Sequence, residues 1–157
     1  MTKPAPSQQR ASLPPTRKSL PVSLILAREA VMAPIRKMLL KAGITEQQWR
    51  VLRVLSESGP MDAGNLAKRA GLMSPSLTRI VQSMQNSGYV QRETDADDRR
   101  RHHIAITSQG QAIIDTHLSE AIEIAEHYRT LLGDKDHDKL LTLLQKLADK
   151  LQDQDRP

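Results

Sequence analysis

Two clusters of side chains in this sequence have the chemistry to grip a polyanion. From Ser74-Pro75-Ser76-Leu77-Thr78-Arg79 on to Gln82, Ser83 and Asn86, hydrogen-bonding groups are interleaved with Leu77, Ile80, Val81 and Met84. The apolar residues fall at i, i+3, i+4 and i+7, one stripe of a helix. If that stripe packs inward, Ser76, Arg79, Ser83 and Asn86 form the opposite face, with Gln82 and Thr78 on its flank. Such side chains reach base edges in a major groove, where arginine can hold guanine through two hydrogen bonds, and the amides that follow Ser74 would meet phosphate. The second cluster is Arg99-Arg100-Arg101, dense positive charge of the kind drawn into a narrow A·T minor groove. Asp95, Asp97 and Asp98 nearly cancel it, as carboxylates that hold a neighbouring guanidinium in a fixed fork would. Alone, the helix face reads equally as a solvated polar surface, and the arginine cluster is more commonly a charged loop tip kept soluble by mixed signs; their adjacency is what favours duplex DNA.

Residues for catalysis are missing. With no cysteine there is no disulfide, thiolate zinc site or cysteine nucleophile, and a cytoplasmic setting is favoured over a secreted one. His102 and His103 alternate along a strand, and His117, His127 and His137 are too widely spaced for a helical metal pair. No HExxH, glycine-rich phosphate loop or nucleophile elbow occurs. The sequence therefore implies no enzyme, no metal and no cofactor. Without a run of about 18 apolar residues it also implies no membrane span.

The elements that must position the two clusters are marked by caps and turns. A helix over 20–42 is expected from Leu24, Val31, Ile35, Met38 and Ala42, with Pro34 inside to kink it and Gly43 to stop it. Thr45 and Gln48 form a capping box opening a helix to about Ser58, with Trp49, Leu52 and Leu55 facing inward. Asp62 caps a short helix over 63–70, Gly71 breaks it, and Ser74-Pro75 reads as an N-cap followed by proline at the first helical position. After Gly88 the period changes to two: Tyr89–Thr94 and His102–Ile106 read as a hairpin around Asp95–Arg101. Thr107 caps a long helix to about Leu132, and a last helix carries Leu140, Leu144, Leu147 and Leu151.

Helix, helix, turn, helix, hairpin is the order of a winged helix-turn-helix. The expected fold is mainly α with a small β-wing and six helices. Its parts are a disordered basic arm over 1–19, a dimerisation helix over 20–44, a DNA-binding lobe over 45–107, dimerisation helices over 108–152 and a tail over 153–157. Charge is a poor guide here. Of the net +5, the arm's Lys3, Arg10, Arg17 and Lys18 account for all but one. The arm's four prolines among polar residues cannot bury enough apolar area to offset ordering.

The stretch D-A-D-D-R-R-R-H-H-I-A-I-T, Asp95 to Thr107, resembles the wing signature D-P-x-D-R-R-x-x-x-V-x-L-T of the MarR family. It departs at Ala96, Ile104 and Ile106, all compatible with turn and strand. A-G-L-M-S-P-S-L-T-R lies ahead of it at the proper distance. The resemblance implies a homodimer whose first and last two helices interlock between subunits while two winged lobes read a pseudo-palindrome. It implies Arg100 in the minor groove with Asp98 as its partner, and Ser74, Ser76, Thr78 and Arg79 at the major groove. The long apolar stripes of the first and last helices agree, being too apolar for slender peripheral helices to leave exposed.

A narrower likeness lies in A-R-E-A-V-M-A-P-I-R-K and T-E-Q-Q-W-R-V-L-R, residues 27–37 and 45–53, which resemble the homoprotocatechuate-degradation (HpaR-like) regulators. It implies a ligand-responsive repressor of a catabolic operon, released by a small aromatic acid. Arg28 falls on the apolar stripe of the first helix near Met32 and so needs an anion. Trp49 with Arg50 and Arg53 offers an aromatic wall beside cations for an aromatic carboxylate. Pairing of Arg28 with Glu29 or Glu46 explains the same charge equally well. The rival to DNA binding is a winged-helix protein-interaction module, which a steep loss of affinity with salt would separate from it.

Overall fold

Helix starts are set by the hydrogen-bonding side chains that precede them. In the computed structural model, which describes residue 13 and residues 15–94 and 102–154, Thr45 accepts from the Gln48 amide at 3.1 Å while the Gln48 side chain accepts from the Thr45 amide at 2.9 Å, completing the capping box. Asp62 accepts from the Asn65 amide at 2.9 Å and Thr107 from the Gly110 amide at 3.1 Å. After a 3₁₀ turn at Thr16–Lys18, the helices are α1 Leu20–Ala42, α2 Glu46–Ser58, α3 Ala63–Ala70, α4 Ser74–Asn86, α5 Ser108–Leu132 and α6 Asp134–Gln154. Strands β1 Val90–Thr94 and β2 His102–Ile106 lie between α4 and α5 and pair antiparallel, from Val90 opposite Ile106 to Thr94 opposite His102.

The start of α4 differs from the sequence reading. Met73 takes the cap position, with no side-chain cap bond, and Ser74 is the first helical residue. Pro75 therefore still lies in the first turn, where its missing N–H costs nothing. Helix α1 stays helical across Pro34. Met61, between α2 and α3, makes a bridge to Ile104, exchanging two backbone hydrogen bonds of 2.8 and 3.2 Å. This isolated bridge ties the α2–α3 connection to the two-stranded hairpin.

Packing divides the chain into two units, Met1–Ala33 and Pro34–Pro157. In the first unit Leu20, Leu24, Ile25, Leu26 and Val31 are exposed. The second holds the core: Trp49, Leu52 and Leu55 of α2, Leu66 of α3, Leu77, Val81 and Met84 of α4, Val90 and Ile104 of the hairpin, and Ile114 of α5. Burying a side chain of this size contributes about 1.5–3 kcal/mol, so this cluster fixes α4 with its polar face outward. Glycine is required where α5 meets the hairpin. A Cβ at Gly110 would collide with the Tyr89 carbonyl oxygen and stand 2.9 Å from Ile106 Cγ1. The arm, apart from Leu13 and residues 15–19, and the wing tip Asp95–Arg101 lie outside the described residues.

Candidate nucleic-acid interface and effector groove

Because Leu77, Val81 and Met84 are buried, Ser74, Ser76, Thr78, Arg79 and Gln82 are all exposed, as are Ser83 and Asn86. Their side chains differ in freedom. Thr78 Oγ1 donates to the Ser74 carbonyl at 3.1 Å, which leaves the Thr78 methyl and its oxygen lone pairs for an outside partner. The Gln82 amide donates to Asn86 Oδ1 at 3.2 Å, one turn on, so Asn86 sets how Gln82 presents itself. Arg79 has no hydrogen-bond or ion-pair partner among the described residues. Exposed Met73 stands beside Ser74 at the head of the helix; sequence reasoning passed it over, because an apolar residue at a cap position gives no signal of its own. Beyond α4, the Thr94–His102 pair closes the described stem of the wing, and Arg92 projects from β1 into solvent. The wing residues Asp98, Arg99 and Arg100 lie outside the described residues.

A second feature opens on another side of the same unit. Between α2 and α5 is a groove of about 300 Å³, lined on α2 by Trp49, Arg53, Ser56 and Glu57 and on α5 mainly by Gln111, Ile114, Asp115, Leu118 and Ile122. This volume is at the lower end of small-molecule sites. Trp49 is 6% exposed and anchored in the core. At the polar edge, Arg53 bonds to Glu57 at 2.5 and 3.1 Å, and the Gln111 amide donates to Asp115 at 2.8 Å.

The structure brings Trp49 and Arg53 together and separates Arg50 from them. The Arg50 guanidinium donates to the Gly71 carbonyl at 3.2 Å, in the turn before α4, and does not line the groove. Arg50 and Arg53 are three residues apart and share one side of α2, so it is the bond to Gly71, toward the start of α4, that takes the Arg50 guanidinium out of the groove. Arg28 and half-buried Met32 belong to the first unit, where Arg28 pairs with Glu29 at 3.1 Å, both side chains more than half exposed. Glu46, the other carboxylate considered for Arg28, is engaged by Arg36 at 2.6 Å. The α5 wall was missed in the sequence. Gln111, Asp115, Leu118 and Ile122 do recur at helical spacing, but the pattern alone cannot say which helix they face.

Arg129 of α5 bonds to Asp134 and Asp138 of α6, each at 3.1 Å, and His137 lies 3.2 Å from Asp138. The His137 hydrogen bond, followed by the Arg129 charge, holds the Asp138 carboxyl below its ordinary value. Among the described residues no three His, Asp or Glu stand close enough to hold a metal ion. No helix there is long and apolar enough to cross a membrane.

The family model described as the MarR family matches residues 44–102, from the residue before the Thr45 cap to the first residue of β2. The chain is 37% identical over 131 residues to the HTH-type transcriptional regulator FarR of Neisseria gonorrhoeae, covering 83% of this chain and 88% of that protein. It is 40% identical over 113 residues to the homoprotocatechuate degradative operon repressor of Escherichia coli, covering 72% and 74% respectively. Among solved structures, NadR in complex with 4-hydroxyphenylacetate superposes with a TM-score of 0.74 at 34% identity, covering 92% of this chain and 98% of NadR.

Proposed function

The chain belongs to the MarR family and is a transcriptional regulator with a winged helix-turn-helix fold, and on that footing we propose that it is a homodimeric, cytoplasmic repressor released from DNA by a small aromatic acid. Two lobes related by a two-fold axis would place their α4 helices in successive major grooves, about 34 Å apart. The exposed polar face of α4 would read bases. The arginines of the wing would enter the flanking minor groove, Arg100 with Asp98 as its partner. Second copies of the chain would cover the leucines that α5 and α6 leave in solvent, such as Leu131, Leu140 and Leu144.

The single observation that carries the effector reading is the α2–α5 groove, which sets an indole against a guanidinium one helical turn away. An aromatic ring would stack along Trp49 and Leu118, its carboxylate would take Arg53, and a ring hydroxyl would reach Ser56 or Asp115. NadR, which shares this fold at 34% identity, is solved with an acid of that chemistry. For release, the acid must prefer the free dimer over the DNA-bound one. A 100-fold preference is worth about 2.7 kcal/mol, enough to empty an operator held near its midpoint.

The test uses the protein's one tryptophan. Titration with 4-hydroxyphenylacetate is expected to quench Trp49 and to weaken binding of a duplex selected from a random pool. Arg53→Ala is expected to abolish both responses while leaving duplex binding intact. A panel of hydroxyphenyl, catechol and heteroaromatic carboxylates that leaves Trp49 emission and duplex affinity untouched would overturn the effector reading.

A further inference from the structure

The two helices that wall the groove also hold the two ends of α4. At the leading end, Arg50 Nη1 of α2 donates to the Gly71 carbonyl at 3.2 Å. Gly71 closes α3 in the left-handed region at φ +61, its amide already given to the carbonyls of Ala67 and Lys68. A Cβ there would lie 3.3 Å from the same Arg50 nitrogen, so the guanidinium rests on the turn itself. It sits at the C-terminus of α3, where a cation is favoured and an unpaired carbonyl needs a donor. At the trailing end, Thr107 Oγ1, at the N-cap of α5, donates to the Gly88 carbonyl at 2.6 Å, and the Thr107 amide donates to the Tyr89 carbonyl at 3.1 Å. Gly110, in the first turn of α5, lies against the same Tyr89 carbonyl.

We propose that Arg50 is a positioning residue that latches the turn ahead of α4 to α2, so that with Thr107 at the far end the tilt of α4 follows the spacing between α2 and α5. Trp49, which lines the groove, and Arg50, which holds the turn, are consecutive residues of one rigid helix. A ligand that displaces the α2 wall therefore carries the head of α4 with it, while Thr107 and Gly110 hold its tail to α5. The proposal rests on reading the α2–α5 groove as the effector site. It adds that the signal leaves through a single side chain of α2, one that is held at the Gly71 carbonyl and does not line the groove.

Coupling between two sites is reciprocal, so the latch can be tested without any effector. Binding of the selected duplex to the ligand-free dimer is expected to change Trp49 emission. In Arg50→Met, which keeps the apolar stem, that change should fall by at least about fivefold, the low end of ordinary coupling factors, while duplex affinity falls by less than about tenfold. Arg50→Lys, which keeps a cation at the end of α3, should restore part of it. With 4-hydroxyphenylacetate as probe, Arg50→Met should bind the acid as the parent does yet no longer release the duplex. A full Trp49 response in Arg50→Met, or none in the parent protein, overturns the latch. So does a lowered salt dependence of duplex binding with the response intact, which would make Arg50 a phosphate contact. If the duplex moves Trp49 and the acid does not, the effector reading fails and the latch stands.

Discussion

Arg53 and Glu57, one turn apart on α2, close on each other at the mouth of the groove, with both side chains more than half exposed. An exposed pair of this kind contributes only about 0.2–1 kcal/mol, so an incoming carboxylate can replace Glu57 at little cost. Glu57→Gln, which frees the guanidinium, is therefore expected to tighten binding of an aromatic acid by up to about fivefold, the upper end of that energy. Trp49 titration measures it. Weaker binding in Glu57→Gln would mean that Glu57 itself contacts the ligand.

Arg79 stands on the exposed face of α4 without a protein partner among the described residues, so removing it should leave the fold alone. Arg79→Ala is expected to keep unfolding free energy within about 0.5 kcal/mol of the parent and to weaken operator binding by about 1–3 kcal/mol, relaxing preference at one base pair. Selection from a random pool with the variant reads the second effect. An unchanged consensus would place Arg79 on the phosphate backbone instead.

Local chemistry was legible in the sequence, and long-range partnership was not. The caps at Thr45, Asp62 and Thr107 were readable because each depends on a side chain and an amide three residues away. The stripe Leu77, Val81, Met84 was readable because periodicity survives any choice of partner. Ser74 misled, because a serine before proline signals a cap whether or not the chain turns one residue sooner, as it does at Met73. Arg50 is grouped with Trp49 and Arg53 by helical spacing alone, and the Gly71 carbonyl that takes its guanidinium lies twenty-one residues away, where spacing gives no signal. Met61 pairs with Ile104 across more than forty residues, and a single bridging residue between a turn and a cap leaves no pattern to find.

Gly110 leaves no room for a side chain where α5 starts beside the hairpin, and the neighbours of an added Cβ are backbone and core atoms: the Tyr89 carbonyl, Ile106 Cγ1 at 2.9 Å and Leu52 Cδ2 at 3.1 Å. The carbonyl is backbone, and the Leu52 methyl belongs to a fully buried side chain with no room to give way. Gly110→Ala is expected to destabilise the protein by about 1–3 kcal/mol or more, as overpacking does, measured by urea unfolding. A neutral result would show that α5 slides easily over the hairpin and would weaken the case for a rigid hold on the tail of α4.

Asp62 caps α3, and the Asn65 amide, with the Asn65 side chain second, holds its carboxyl below the ordinary 3.8. A carboxyl lowered on folding adds stability above its unfolded value and loses that addition as pH falls through the folded one. Asp62→Asn, a cap without a charge, should therefore be less stable than the parent at neutral pH. The gap should close as pH is taken below about 3.8, the ordinary carboxyl value. Parallel urea titrations across that range measure it. A gap that stays constant would mean that the ionised form carries no advantage at this helix.

Leu140 and Leu144 lie one turn apart on α6 and are 45% and 38% exposed, while the core that holds α4 lies elsewhere in the second unit. Replacing both with aspartate should leave each lobe folded, since Leu52, Leu77 and Met84 keep their neighbours. Two charges at an apolar contact between subunits would have to be desolvated without partners, which costs several kcal/mol each. Sedimentation at micromolar concentration should then find monomers, and a single lobe, left with one major groove, should lose most of its preference for a palindromic duplex. If the double variant sediments as a dimer with operator affinity intact, α6 is not the dimer contact. Its leucines would then need another partner.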